Sequence, residues 1–281
     1  MIKLSTRPSV RADRLRRLRS KLGDERSGRV VFLSHCLLNE NTRYLGGAFR
    51  PGAVCEVVDP YLRAGAGICQ MPCPEQLAWG GVLKRRLLLV YGRPRLGRVI
   101  RPLLPALAAY TALRYRLLAG RVAGQIADYQ DSGFDVAGVV GVDASPTCGV
   151  TTTLDLNAAL GAMAGCPLSR LDRSFMNDTV VNGSARPGRG LFISALDGAL
   201  ARRGRQVPLL GHDLRSEAPG SPLPPGPVLA GLAGRTRTQR PPAEVVAAAR
   251  KVLTRPRAGT LAGGADRRDF RYRPLDPRRP P

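Results

Sequence analysis

Three cysteines stand at comparable places in the chain. Cys36 follows the apolar run VVFLS (30–34), Cys73 follows GICQMP (67–72), and Cys148 lies in ASPTCG, a few residues after FDVAGVVGV (134–142). Three thiolates from three separate loops can hold zinc or an iron–sulfur cluster. A fourth ligand closes such a site, whereas its absence leaves a position where a substrate atom can bind. Two groups that can move protons sit beside the thiols, the carboxylate of Glu75 and the hydroxyl of Ser145. Pro74 and Pro146 stiffen the two loops, and Gly149 admits close backbone approach. Cys69 lies partly within an expected strand and Cys55 in an expected helix; these two and Cys166 read as core residues, as free cysteine often is. Cys69 is the spare fourth ligand. The competing reading is that all six cysteines are ordinary buried thiols.

Such residues need a frame that gathers distant loops. The run VVFLS is apolar and β-branched, as in a parallel strand buried on both faces. GICQMP, FDVAGVVGV and QVPLLG (206–211) read as further strands. AVCEVVDPYLRAG has helical spacing, with Pro60 arguing against one uninterrupted helix. Residues 99–131, LDLNAALGAMAG (154–165) and GLFISALDGALARRG (190–204) read as helices. Strands alternating with helices predict an α/β fold, a three-layer Rossmann-like arrangement with a mainly parallel sheet and helices on both faces. The three cysteines then fall at the C-terminal ends of strands, where open parallel sheets bind ligands. The expected organisation is a basic N-terminal arm over 1–29, an α/β domain over 30–214, and a Pro/Arg-rich tail over 215–281 that is largely extended, with one helical island at 243–253.

The net charge of +23 invites a nucleic-acid partner, and its distribution qualifies that idea. Residues 1–29 hold ten Lys/Arg against three Asp/Glu, and residues 214–281 hold fourteen against five. A third basic stretch, 84–121, has ten basic residues and no acid, and its beginning reads as a solvated face. Only four of the basic residues are lysine, a skew that codon composition also produces. The basic ends favour RNA or another anionic partner by long-range attraction. Aromatics make up 5% of the chain, too few for a base-stacking platform. No secretion signal precedes Val30, and the longest apolar candidate, LLPALAAYTAL (103–113), is shorter than a membrane span. No integral membrane segment and a cytoplasmic location are expected, and the sequence leaves the oligomeric state open.

Around the thiols the wording becomes specific. SHCLLNENTRYLGG, MPCPEQLAWGG and ASPTCG, in that order, resemble the Cys-Leu-Leu, Cys-Pro-Glu and Ser-Pro-x-Cys-Gly motifs of the 2-thiouracil desulfidase family, and GALARRGRQVPLLGHDL resembles its closing helix and strand. The resemblance covers about residues 29–214. It implies a [4Fe-4S] cluster held by Cys36, Cys73 and Cys148, with one iron left to take the sulfur of a thiolated heterocycle. It implies catalytic roles for Glu75, as acid/base, and Ser145. Asn41, Arg43 and Tyr44 match the family's Asn-x-Arg-Tyr stretch and become candidate substrate contacts. Arg43 is also a candidate partner for the Glu75 carboxylate. Asn39, Leu45 and Thr147 depart from the pattern, and VLKRRLLLVYGRPR replaces the usual stretch after Gly-Gly, which bears on substrate choice. Two other functions fit the same residues: a basic RNA-binding protein with a structural metal site, and a sulfur-trafficking protein. His35 and His212 read as packing residues, and RPGRG (186–190) lacks the spacing of a dinucleotide-binding loop.

Overall fold

The expected apolar runs form the strands of a sheet in the computed structural model, which describes residues 8–89, 91–93 and 104–214. The strands β1 (Arg29–Ser34), β2 (Gly67–Met71), β3 (Asp135–Val142) and β6 (Leu209–His212) lie in the order β2-β1-β3-β6. All three pairings are parallel. One extra residue in β3, between the partners of Val30 and Val31, introduces a bulge next to Gly138. There, an added Cβ would meet the carbonyl oxygen of Pro208 at 3.0 Å. A second, antiparallel pair, β4 (Thr152–Leu154) with β5 (Ala185–Pro187), was not expected from the sequence.

The alternation of side chains along β1 and β3 splits the core in two. Phe32, Val136 and Val139 pack with Leu118, Val122 and Ile126 of the helix Leu104–Asp131 and with Ile193 and Leu196 of the helix Leu191–Ala201. Val31, Leu33 and Val140 pack instead with Val57, Val58 and Tyr61 of the helix Cys55–Arg63. Helices thus cover both faces of the four-stranded sheet. The chain goes from β1 to β2 on one side and returns past β1 to β3 on the other, so the connections diverge between β1 and β3. That divergence opens a crevice beyond the strand ends.

Several boundaries differ from expectation. The helix Cys55–Arg63 runs through Pro60 without a break. Its buried stripe against the sheet outweighs the one hydrogen bond that the proline nitrogen cannot donate. Cys55, expected in the core, is the exposed first residue of that helix. Asp155 caps the helix Leu156–Gly165 by accepting from the nitrogens of Asn157 and Ala158, so Leu154 belongs to β4 and not to the helix. Phe175–Asn182 forms a π-helix. The helix Pro8–Lys21 occupies the basic arm, while the tail beyond 214, its island at 243–253, and the start of the expected 99–131 helix lie outside the described residues. Among the described residues, no helix is long and apolar enough to cross a membrane.

Candidate active site

Each expected thiol follows its strand closely. Cys36 is in the short helix His35–Leu38, directly after β1. Cys73 is the N-cap residue of the helix Pro74–Trp79, two residues past β2. Cys148 lies in the turn after β3, held from several sides. Asp143 accepts from the nitrogens of Val150 and Thr151, both at 2.9 Å, and from Thr152 at 3.3 Å, and so closes the 144–152 loop on itself. These bonds hold the Asp143 carboxyl below the usual aspartate range, although burial opposes them. The carbonyl of Thr147 accepts from the nitrogens of Phe192 and Ile193, which docks the loop on a helix N-terminus.

Cys36, Cys73 and Cys148 line one cleft, together with Glu75 and Ser145. Cys69, Cys55 and Cys166 are not in its lining. All six cysteines are free thiols. Burial pushes the Cys73 thiol up to about 12 and raises Cys36 and Cys148 as well. At Cys148 the neighbouring Cys36 and Cys73 act in the same upward direction as burial.

The carboxylate of Glu75 is at the centre of the polar lining. Its Oε1 accepts from Thr147 Oγ1 at 3.1 Å, and Thr147 Oγ1 lies 3.0 Å from Ser145 Oγ. Ser145 Oγ accepts from the backbone nitrogens of Cys148 (3.1 Å) and Thr147 (3.3 Å). With those acceptances made, the ordered direction runs from the Ser145 hydroxyl to the Thr147 oxygen, and from the Thr147 hydroxyl to the carboxylate. Thr147 Oγ1 is also 3.7 Å from Cys148 Sγ. Thr147 supplies the hydroxyl that makes this link, as a serine there would.

Lys84 corrects one expectation. The sequence places it at the start of a solvated basic face, yet only 2% of it is exposed. Its Nζ is 3.4 Å from Glu75 Oε2 and donates to the carbonyl of Thr42. Glu75 is therefore partnered by Lys84 and not by Arg43. Arg43 does line the cleft, with Nε donating to the carbonyl of Gly47 and its guanidinium 5.6 Å from the Tyr44 ring centre. Tyr44 lines the cleft too and donates to Asn177 Oδ1 at 3.0 Å. Asn41 does not: it is exposed and bonds Asn39 Oδ1. His35 lines the cleft and meets Gln70 Nε2 through Nδ1 at 2.9 Å, and burial followed by the charge of Lys84 lowers its pKa. His212 is buried at the end of β6, with its pKa lowered by burial.

The sequence offered one clue to Lys84: it is the only lysine in a basic stretch built otherwise of arginine. Backbone strain gives another. Among the described residues, Lys84 and Ala144 are the only non-glycine positions with positive φ, at 50° and 51°, and both line the cleft. Such conformations cost energy and gather at functional sites.

The fit of these residues to a cluster rests on their chemistry. Among the described residues, no group of three His, Cys, Asp or Glu side chains is disposed around a single metal ion. Three thiols lining one cleft are the kind of donor set that an iron–sulfur cluster takes. The hydroxyl of Ser34 is buried and finds no hydrogen-bond partner within the protein, which leaves it a donor for a ligand sulfur. Hydrogen bonds to ligand sulfurs are a known means of tuning clusters. Comparison with protein-family profiles, with curated proteins and with solved structures finds no match to this chain.

Proposed function

We propose that this protein is a desulfidase that removes sulfur from a thiolated heterocycle, with a [4Fe-4S] cluster held by Cys36, Cys73 and Cys148. The observation that carries the reading is the shared cleft: three thiols from three separate loops beside a carboxylate linked through Thr147 to Ser145. When bound, such a cluster with one iron free of cysteine supplies a Lewis-acid site for a thiocarbonyl sulfur. The protein's own groups do the rest. Glu75 Oε2 and Oε1 are held by Lys84 and Thr147, which leaves its carboxylate aimed at one place in the cleft. There it takes a proton from water attacking the thiocarbonyl carbon, or returns one to a ring nitrogen. Ser145 and Thr147 form a hydroxyl path to that carboxylate. Arg43 and Tyr44 close the cleft on the side of the 41–48 loop. The basic segments would draw in an anionic partner such as RNA.

The test is anaerobic reconstitution with iron and sulfide, comparing the wild type with Cys36→Ala, Cys73→Ala and Cys148→Ala. Expected are four irons per chain and a visible cluster band in the wild type, a marked loss in each variant, and sulfide released repeatedly from 2-thiouracil. A single sulfide released per chain without turnover would point to sulfur trafficking instead. Full iron retention in all three variants would exclude this ligand set.

A further inference from the structure

One wall of the cleft differs in character from the other. The loops after β1, β2 and β3 contribute the thiols, Glu75, Lys84, Ser145 and Thr147, and Tyr91 and Tyr115, between Lys84 and Ser145 in sequence, line the cleft too. From Leu154 to Leu191 every lining side chain is apolar, including Leu160, Met163, Met176, Val180 and Val181. These residues are buried. Three of the wall residues come from the π-helix Phe175–Asn182, a rare geometry that occurs at functional sites. Asn177 of the same π-helix ties it to the Tyr44 hydroxyl and the Gly46 carbonyl, and so fixes the wall against the 41–48 loop. Met163 and Met176 are unbranched and adapt to ligands of varied shape.

Resting on the desulfidase reading, we infer that the substrate is a thiocarbonyl heterocycle carrying a bulky apolar substituent, and not a nucleoside. The ring's sulfur and nitrogens meet the polar wall, and the substituent covers the apolar one. A ribose there would turn its hydroxyls toward side chains that offer no hydrogen bond, and burying an unpaired hydroxyl is costly. An alkyl group in the same place gains by leaving water.

The experiment measures binding to the reconstituted full chain by calorimetry, using 2-thiouracil, 6-propyl-2-thiouracil, uracil, 6-propyluracil and 2-thiouridine. Trp79, the sole tryptophan, lines the cleft and reports by its emission that binding occurs there. The propyl compound is expected to bind about tenfold tighter or more than 2-thiouracil, the gain from burying three alkyl carbons. 6-Propyluracil should gain over uracil in the same way, and 2-thiouridine should bind more weakly than 2-thiouracil. Val181→Thr, close in shape, should lose several-fold of the propyl gain, read as the ratio of the two thiouracil affinities within the same variant. Equal affinities with and without the propyl group, tighter binding of 2-thiouridine, or a full propyl gain in Val181→Thr would each overturn the inference. Sulfide release is scored separately. Release without a propyl preference overturns this inference and leaves the desulfidase reading standing. A propyl preference without release from any thiouracil overturns the desulfidase reading and leaves the apolar wall as the binding determinant.

Discussion

The ammonium of Lys84 lies 3.4 Å from the carboxylate of Glu75, at a lysine that is almost wholly buried and held in a left-handed backbone conformation. An ion pair in that setting is costly to assemble. Its clearest use is to fix the one carboxylate in the cleft. Removing the lysine head separates that role from general stability.

Lys84→Met keeps the length and apolar stem but removes the charge. The Thr42 carbonyl then loses its donor and Glu75 its cation. A loss of about 1–3 kcal/mol is expected in urea unfolding. Desulfidation should fall about 10–100-fold, as for other residues that orient a reacting group. Iron content should stay at the wild-type level, because Lys84 is not a ligand. A variant with normal activity would remove Lys84 from the machinery.

Thr147→Val tests the hydroxyl path directly. It keeps the branched shape and cuts the link between Ser145 and Glu75. Glu75→Gln should lower turnover about 10²–10⁴-fold, the range for general acid–base groups. If the path carries protons, Thr147→Val and Ser145→Ala should each lower turnover, and the double variant should be little worse than either one. Additive losses would mean that the two hydroxyls act separately. Ser145→Ala should also destabilise by about 1 kcal/mol, since Ser145 Oγ accepts from two backbone nitrogens of its own loop.

The sheet was readable because its strands are short apolar runs flanked by glycine, proline or charge. Val31 and Phe32 are buried on opposite faces, as a two-sided parallel strand requires. The thiols, Glu75 and Ser145 were readable as neighbours because each lies in the loop or short helix that follows such a run. Lys84 was not, because burial of a lysine depends on which distant carbonyl and carboxylate the fold brings to it. The partner of Glu75 could not be chosen between Arg43 and Lys84 from spacing alone. The π-helix escaped as well: FMNDTVVN has no pattern that separates a wide turn from an ordinary one. At Pro60 the local preference against helix loses to the packing of Val57, Val58 and Tyr61, which spacing alone does not reveal.

Asp143 gives a pH prediction with a definite sign. Its folded-state pKa is depressed by the Thr151 hydroxyl and three backbone nitrogens. A depressed carboxyl contributes stability above its unfolded value, near 3.9, and loses that contribution as pH falls through the lower folded value. Asp143→Asn should therefore cost about 1–2 kcal/mol at neutral pH, the difference between charged and neutral acceptors. The gap between the two unfolding curves should narrow below about pH 4. A gap that stays constant down to acid would show that shape, and not charge, holds the loop.

The position of Cys148 can be tested without touching any cysteine. A Cβ added at Gly149 would come within 2.1 Å of the Thr152 carbonyl oxygen and 2.8 Å of that of Ser145. Both are backbone atoms of the same closed loop, so the chain itself must shift. Gly149→Ala should cost about 1–3 kcal/mol by overpacking. It should also lower the iron retained on reconstitution, although all three thiols are present. Gly161→Ala is the matched control. It lies in the helix Leu156–Gly165 with no atom within 4 Å of the added carbon, so it should stabilise by about 0.5–1 kcal/mol and leave iron unchanged. A Gly149→Ala protein that is destabilised yet keeps its full iron would show that the cluster tolerates movement of this loop. The rigid closure by Asp143 would then serve folding and not metal binding. Loss of iron beyond the loss of folded protein, measured at a temperature where both variants remain folded, would assign the closure to holding the third thiol in place.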